Sequence, residues 1–455
     1  MGQLAIHLND ADVTVFDGQK VVYREPGFAY LGNESLSTGI DAYSNARIDP
    51  RRVQNRFWSD LNTKPFSDHR FAHLSAADLA SKQLEEIWTV VGDDVSGLVV
   101  AVPGYMSSEN LGLFLGIARE IGLPVSALVD SAVAATRREY GGAVPVHIDL
   151  SLHRATLTRL AQPGMVQVDR TEVIDDVGLG VLSDIWLKTI AETFVQQSRF
   201  DPLHKAETEQ MLLTHLSAWI DSASRHGKVE MEMQSGEITY RAEIEALALI
   251  GAAAPAYQQI ASRLRALFRA EDVPAIQVTD RVARLPGLVD MLEARVGGEV
   301  FVLEPGATAR GALARLRKHA GDFAAVSLLR QLPWDQAGIN VTQQSSENNA
   351  TGMPTHLLFG HQGYEIGNLA LVIGSQESAG ERFLELDTDM PGVSRRHCSI
   401  LQKNGQCVLE DHSRYGTFLN GHRVDGSSIL QVGDAIRIGT PGYELQLITT
   451  KEVHG

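Results

Sequence analysis

The sequence predicts a multidomain fold, with an α/β N-terminal domain of two lobes, a linker, and an all-β sandwich at the C-terminus. Strand-like runs alternate with long amphipathic helices through the first part of the chain, which is typical of α/β domains. A pattern of three short strands occurs at the start of the chain and again near residue 145, which indicates two lobes. Short alternating strands with glycine-rich turns follow a polar segment, as in β-sandwiches. The expected boundaries are 1–318, 319–354 and 355–455.

Each lobe is expected to open with three consecutive strands. In the first lobe they cover Leu4–Leu8, Val13–Phe16 and Lys20–Arg24, and in the second Val146–Leu150, Ala155–Leu160 and Met165–Val173. A buried strand is expected over Gly97–Val102. The spacing of apolar residues predicts five helices: Ser75–Val91 with Ser75 as N-cap, Ser107–Ile121, Ser183–Gln197, Lys205–Ser224 and Tyr257–Arg269. We expect the helix over Lys205–Ser224 to pack within its domain, with a partner surface as the alternative.

The linker is predicted from composition. Gln, Ser, Asn, Thr and Gly dominate residues 333–354, and residues 343–352 hold no aliphatic side chain larger than that of Ala350. Such a segment cannot bury enough apolar surface to fold by itself.

The charge balance argues against nucleic acid as a partner. Asp and Glu total 56 against 40 Lys and Arg, a formal net charge of −16, and an acidic chain repels a phosphate backbone. No apolar run approaches the ~18 residues that a membrane span needs. The first residues, Met1-Gly2-Gln3-Leu4, lack the basic start of a signal peptide. We therefore expect no membrane span and a cytoplasmic location.

The two cysteines flank a likely hairpin turn at Asn404-Gly405. Counting back from that turn places Cys407 opposite Gln402 and Cys398 near Asp411. At this separation the thiols are too far apart for a disulfide. We expect both to be buried thiols on one face of the hairpin.

The C-terminal region carries several motifs in a fixed order. They are GVSRRH at 392–397, SRYGT at 413–417 followed by Asn420-Gly421, LQVGD at 430–434 and IRIG at 436–439. Together they closely resemble the forkhead-associated (FHA) domain, a β-sandwich that usually reads phosphothreonine.

The resemblance implies a phosphopeptide site at the loop tips, where a hydroxyl, backbone N–H groups and cations hold a phosphate. Ser394 matches the serine that donates to the phosphate, and Arg414 falls where a family residue touches it. The phosphopeptide-binding residues implied here are Ser375, Ser394, Arg395, Arg396, Arg414 and Tyr415. The residues implied to support the site are Gly374, His397, Gly416, Thr417 and Asn420.

Two positions depart from the family pattern. The family usually has Gly-Arg at the end of an early strand, and that arginine clamps the phosphate; here Gly374 is followed by Ser375. A lost charged hydrogen bond is worth about 1.5–3 kcal/mol, or about ten- to a hundredfold in affinity. Tyr415 replaces the asparagine that grips the peptide. We expect Arg414 or Arg395 to compensate; the alternative is that both are solvated surface arginines.

The N-terminal region contains VVAVPGYM at 99–106, DSAVAA at 130–135, GLG at 178–180 and PGATARGA at 305–312. In this order they resemble the actin-like nucleotide-binding domain of DnaK-type heat-shock chaperones. The resemblance implies a two-lobed, ribonuclease H-like fold over residues 1–318, with the second lobe starting near residue 145.

ATP chemistry in that fold needs three glycine-rich turns whose backbone N–H groups approach the phosphates, and an aspartate that positions metal and water. Here the first turn holds Asn9 and Asp10, and the second keeps Asp149 without a glycine run. The third turn, with Thr279 and Asp280, lacks the paired glycines. A carboxylate ~4 Å from a phosphate costs about 4 kcal/mol at an effective dielectric near 20. Ser131 stands where the family has its catalytic glutamate. These six positions describe a degenerate nucleotide site.

The sequence therefore predicts a non-catalytic adaptor or scaffold in signalling, in which a pseudo-ATPase domain is joined to an FHA module. The expected partner is a protein that carries phosphothreonine. We expect no catalytic residue, no metal site and no cofactor. The alternative is a divergent actin-like ATPase that uses Mg-ATP and is regulated through its FHA domain.

Overall fold

The computed structural model describes residues 2–32, 35–92, 95–316, 326–341, 354–359, 362–376, 382–386, 392–403, 406–419, 422–431, 434–439 and 443–448. The chain divides into two compact units, Met1–Gln343 and Gln344–Gly455.

The N-terminal unit mixes helices and strands. Its helices are α1 (Gly39–Tyr43), α2 (Ala76–Val91), α3 (Ser108–Ile121), α4 (Ser131–Ala135), α5 (Leu179–Ser198), α6 (Ala206–His226), α7 (Ala246–Arg265), α8 (Asp280–Ala283), α9 (Leu288–Val296) and α10 (Ala307–Leu316), with a 3₁₀ turn at Pro50–Arg52. Its strands are β1 (Gly2–His7), β2 (Val13–Phe16), β3 (Val21–Glu25), β4 (Ala29–Leu31), β5 (Leu36–Thr38), β6 (Val53–Gln54), β7 (Val95–Val102), β8 (Val125–Asp130), β9 (Tyr140–Gly141), β10 (Val144–Leu150), β11 (Arg154–Ala161), β12 (Val166–Asp175), β13 (Lys228–Ser235), β14 (Ile238–Glu245), β15 (Pro274–Val278), β16 (Glu299–Val302), β17 (Leu328–Leu329), β18 (Gln331–Leu332) and β19 (Ile339–Asn340).

Two six-stranded sheets of this unit share the order of five strands, and the sixth strand lies at opposite ends of the two sheets. The first runs β3-β2-β1-β7-β8-β17, and the second runs β18-β12-β11-β10-β15-β16. The five shared strands begin with three antiparallel neighbours, β3-β2-β1 in the first sheet and β12-β11-β10 in the second. The next two strands are parallel to β1 in the first sheet and to β10 in the second. The predicted duplication is confirmed: each lobe begins with three antiparallel strands.

A hydrophobic cluster contains residues from both sheets. Ala5 and Phe16 of the first sheet, Leu160 and Val166 of the second, and Leu313 of α10 are all buried in it. The two lobes therefore share part of one core.

Four of the predicted helices lie close to their expected bounds. Ser75 is the N-cap of α2, and its N–H and hydroxyl both donate to Asp78. α6 packs within the domain, since residues along it such as Leu212, Leu216 and Ile220 are buried.

The helix predicted over Tyr257–Arg269 is wrong at its start, because α7 begins at Ala246 and contains Pro255. A proline inside a helix costs about 3 kcal/mol. One face of α7, including Leu249 and Tyr257, is buried along its length. Each such side chain contributes ~1.5–3 kcal/mol when fully buried, so tertiary packing outweighs the local penalty.

Residues 326–341, which we call the strap, differ from the expectation of a linker beginning at 319. β17 pairs in parallel with β8 of the first lobe, and β18 pairs antiparallel with β12 of the second. β19 then pairs with β9. The strap therefore adds one strand to each large sheet within a few residues.

The C-terminal unit is a β-sandwich. Its strands are β20 (His356–Phe359), β21 (Gln362–Glu365), β22 (Leu371–Gly374), β23 (Arg382–Glu385), β24 (Cys398–Lys403), β25 (Gln406–Asp411), β26 (Thr417–Leu419), β27 (His422–Arg423), β28 (Ser427–Leu430), β29 (Ala435–Ile438) and β30 (Tyr443–Ile448). They form a sheet of order β21-β20-β30-β29-β26-β27 and another of order β23-β22-β24-β25-β28. Side chains of both sheets, such as Leu357, Ile400, Leu409 and Leu445, form one core.

The expected cysteine register is confirmed. Gln402 pairs with Cys407, and Cys398 pairs with Asp411. Both thiols are free and buried. Burial raises the pKa of Cys407 to about 11, so this thiol is protonated at neutral pH.

Candidate functional site

Two loops at one end of the sandwich are joined by the imidazole of His397. The Ser394 N–H donates to Nδ1 of His397 over 3.1 Å, and Nε2 lies 3.3 Å from the carbonyl oxygen of Gly416. Because Nδ1 accepts, the proton of the neutral ring is on Nε2 and is directed at that oxygen. Burial lowers the pKa of His397, which favours this neutral form. His397 therefore joins the two loops that carry the predicted site residues.

The Ser394 side chain adds a second link between the same loops. The backbone N–H of Arg414 donates to Ser394 Oγ over 3.2 Å. A hydroxyl that accepts one hydrogen bond still has its own proton to donate. Among the described residues, the Ser394 hydroxyl therefore combines a fixed position with a proton that has no acceptor.

Gly374 lets β22 approach the first loop closely. A Cβ on Gly374 would lie 2.1 Å from the carbonyl oxygen of Arg395, so no other residue fits there. The next residue, Ser375, donates its N–H to the carbonyl oxygen of Ser394 over 3.2 Å. The backbone of Ser375 is therefore bonded to that of Ser394.

Asp411 organises the second loop, and sequence reasoning missed it. Its Oδ1 accepts from the Ser413 N–H over 3.0 Å and from the Thr417 hydroxyl over 2.8 Å. Burial alone would raise the pKa of Asp411, but the hydrogen bonds from Ser413 and Thr417 hold it below its ordinary value. Ser413 Oγ in turn accepts from the Gly416 N–H over 2.7 Å. A carboxylate two residues before a serine is a turn signal that points to this arrangement.

The two loops themselves carry several cationic or aromatic side chains. Arg395, Arg396, Arg414 and Tyr415 are all exposed, Tyr415 by 63%. Within the described part of the chain, the guanidinium groups of Arg395 and Arg414 have no carboxylate partner. The predicted site residues are thereby brought to one end of the sandwich, except Asn420, which lies outside the described residues.

A serine hydroxyl held beside exposed arginines at the loop tips of a sandwich is typical of an interaction module that binds a phosphorylated ligand. Residues 371–439 match the family model of the FHA domain. The C-terminal sandwich is therefore an FHA domain, which implies phosphothreonine-dependent binding of proteins. The search for relatives of the chain among curated proteins finds no match.

In the N-terminal unit, the three predicted turns meet around Asp149. Asn9 Nδ2 donates to Asp149 Oδ2 over 2.8 Å, and the Thr279 hydroxyl donates to Oδ1 over 2.8 Å. Arg281 Nε lies 3.6 Å from Oδ1, and His7 Nε2 lies 3.5 Å from Oδ2. All five side chains are buried.

These contacts determine the charge of Asp149. Burial alone would raise its pKa, but the Arg281 guanidinium and the nearby His7 and His147 hold it below the ordinary value. Burial lowers the pKa of His7 and of His147 to about 4. Asp149 is therefore an anion enclosed by protein groups, and its oxygens already have partners.

The other predicted positions are also occupied by protein contacts. Asp10 Oδ1 accepts from the Leu152 N–H over 2.7 Å, and burial raises the pKa of Asp10 to about 6. Asp280 pairs with Arg24 and Arg284, each at 3.2 Å. Ser131 is buried in the first turn of α4.

Two cavities lie near the third turn. One, lined by His7, Thr279 and Arg281 among others, holds about 10 Å³, roughly the space of one water molecule. The other holds about 460 Å³ between the end of α6, at Asp221–Arg225, and residues 283–290. In the part of the chain that the structure describes, no cluster of His, Cys, Asp or Glu is able to hold a metal ion. No described helix is long and apolar enough to cross a membrane.

Proposed function

We propose that this chain is a non-catalytic adaptor that binds a phosphothreonine-bearing protein through its FHA domain. The observation that carries the proposal is the contact between Ser394 Oγ and the Arg414 N–H, beside the exposed side chains of Arg395 and Arg414. This contact supports the proposal because it holds the Ser394 hydroxyl against the loop to which Arg414 belongs.

The arginine side chains supply the charge that Ser375 lacks. Arg395 follows Ser394 in the first loop, and Arg414 belongs to the second. Both are exposed and have no carboxylate partner within the described residues. Charge-assisted hydrogen bonds to phosphate are about twice as strong as neutral ones, so either guanidinium compensates for the missing clamp.

We propose that the N-terminal unit is a pseudo-ATPase with an actin-like fold, which agrees with a non-catalytic adaptor. The repeated strand order of its two sheets fits the two-lobed fold that the sequence motifs resemble. The space between the three turns is occupied by Asn9, Asp149 and Thr279, which bond to one another. An Mg-triphosphate placed there would have to displace these contacts and face Asp10.

Binding of fluorescent phosphothreonine peptides to the full-length protein tests the FHA half. We expect micromolar or tighter binding of a degenerate phosphothreonine library and none of the unphosphorylated library. Arg414→Gln should weaken binding by roughly tenfold or more, because a charged hydrogen bond is worth about 1.5–3 kcal/mol. Ser394→Ala should act in the same direction.

Lys403→Gln is the matched control for these variants. Lys403 is exposed at the end of β24 away from the Ser394 loop, roughly 17 Å along the strand from Cys398. The Lys403→Gln variant should therefore bind as the wild type does. Because Ser394 also accepts from Arg414, the melting temperature of each variant is measured as well. If a folded Arg414→Gln variant bound the peptides with unchanged affinity, Arg414 would not compensate for the missing clamp arginine.

The divergent ATPase remains a second candidate because of one observation. The cavity of about 460 Å³ lies beside the third turn, which in the resembled fold faces the adenosine. Its lining includes Arg225, Arg284 and Asp290. The effect of Mg-ATP on the melting temperature separates this candidate from the adaptor.

A further inference from the structure

Three side chains on neighbouring strands form a row on the FHA domain. Arg423 of β27 pairs with Phe418 of β26, and Phe418 pairs with Arg437 of β29. The residues beside Arg437, Ile436 and Ile438, are buried in the core, so the row lies on the opposite face of the sheet. The guanidinium carbon of Arg437 lies 4.9 Å from the centre of the Phe418 ring.

Arg423 lies directly against the loop that carries the proposed phosphate site. A Cβ on Gly416 would be 2.6 Å from Arg423 Nε and 3.2 Å from its Cζ. Gly416 has a φ of +98°, which favours glycine. The glycine therefore allows the loop backbone to adopt this turn and allows the arginine to lie against it. Gly416 follows Tyr415 and Arg414, so the charge of Arg423 is next to the loop that a bound peptide would cross.

The two arginines of the row differ in their surroundings. The guanidinium group of Arg437 lies over the Phe418 ring. Arg423 is exposed, and among the described residues it has no ion-pair partner. The chain as a whole is acidic, with a formal net charge of −16. Arg423 nevertheless gives the region beside the proposed phosphate site a local positive charge that a ligand can contact.

We propose that Arg423 selects ligands with an acidic residue close to the phosphothreonine. The ligand class is then an acidic phosphothreonine peptide rather than any phosphothreonine peptide. This inference rests on the proposed function, because it concerns the same binding event. An exposed ion pair contributes little, so the expected selectivity is roughly threefold to fivefold.

The test compares three phosphothreonine peptide pools, in which the residues flanking phosphothreonine are Glu, Gln or Lys. The full-length protein should bind the Glu pool best and the Lys pool worst. Arg423→Gln should lower affinity for the Glu pool to that of the Gln pool, whereas Arg423→Lys should retain the preference. Lys403→Gln serves again as the charge control. High salt should reduce the preference in the wild type, since exposed charges are screened.

The outcomes distinguish the inference from the function on which it rests. If the wild type binds no phosphothreonine pool, the proposed function fails and the inference with it. If it binds all three pools equally, the function stands and the inference is overturned. An acidic preference that persists in Arg423→Gln would assign the selectivity to Arg395, Arg396 or Arg414 and would also overturn it.

Discussion

At the residue scale, the proposed phosphate site depends on the protonation state of one side chain. Nδ1 of His397 has to be unprotonated to accept the Ser394 N–H, and burial lowers the pKa of the ring. In the unfolded chain the same ring titrates near pH 6.5. The unfolded state therefore takes up a proton first as the pH falls.

We therefore expect the stability of the Ser394 loop to depend on pH. The stabilisation from neutral His397 is complete above about pH 6.5, and it is lost as the pH falls through the lowered pKa. Amide hydrogen exchange at Ser394, corrected for intrinsic rates, should show protection falling by roughly five- to tenfold, since a hydrogen bond contributes about 1 kcal/mol. A core amide of β24 is the control. Parallel loss at both amides would point to global unfolding and contradict a local role for His397.

The contrast between Ser394 and Asp411 shows what the sequence predicts at this scale. Ser394, His397 and Arg414 could be placed because they lie in short motifs whose loops bring them together. Asp411 ends a strand, where an aspartate is unremarkable, and its role depends on the direction of the Ser413 N–H and the Thr417 hydroxyl. Those directions are properties of the folded loop rather than of the residue types.

At the scale of elements, local composition and tertiary packing disagree in two places. α7 continues through Pro255 because its apolar face is buried. The strap contains polar and short apolar runs that indicate no element by themselves, yet it completes both large sheets. A strand of two residues has no recognisable period, so its existence follows only from the sheet edge that it meets.

Leu332 tests the strap. It is 4% exposed and belongs to the cluster shared by both lobes. Leu332→Asp places a charge in that cluster and should destabilise the N-terminal unit by roughly 3 kcal/mol or more in urea unfolding. Leu247, 74% exposed on α7, offers the matched control, and Leu247→Asp should change stability by less than about 0.5 kcal/mol. If the two variants were equally stable, residues 326–341 would contribute no more to the N-terminal unit than a linker does.

At the scale of the N-terminal unit, contacts across the lobes go beyond Asp149. Arg154 of β11 donates to Asp60 over 3.2 Å and to the carbonyl oxygen of Ser59 over 2.9 Å. Arg47 pairs with Asp184 of α5 and lies 3.5 Å from Glu209 of α6. The segment after α1 is thus tied to the helices and strands of the second lobe. The two-lobed duplication was predictable from the repeated strand pattern, whereas these ties join residues more than ninety positions apart and leave no periodic signal.

This closed arrangement leads to a prediction about nucleotide. A ligand that binds the folded state at a hundred times its Kd stabilises it by about 2.7 kcal/mol. For a large domain that corresponds to a rise in melting temperature of roughly 5 °C or more. We expect millimolar Mg-ATP to shift the melting of the N-terminal unit by less than about 1 °C, because Asn9, Asp149 and Thr279 fill the space between the turns. Mg²⁺ alone and adenosine alone are the parallel arms.

The arms separate the remaining readings of the N-terminal unit. A shift of several degrees with Mg-ATP and not with Mg²⁺ would establish a nucleotide-binding protein and contradict the pseudo-ATPase. A shift with adenosine that ATP does not reproduce would assign the 460 Å³ cavity to a nucleoside, with the phosphates excluded. The physical reason is the same for both outcomes: the cavity beside α6 is open, whereas the carboxylate of Asp149 is already enclosed by Asn9, Thr279 and Arg281. A triphosphate has to enter the space around Asp149, and a nucleoside does not.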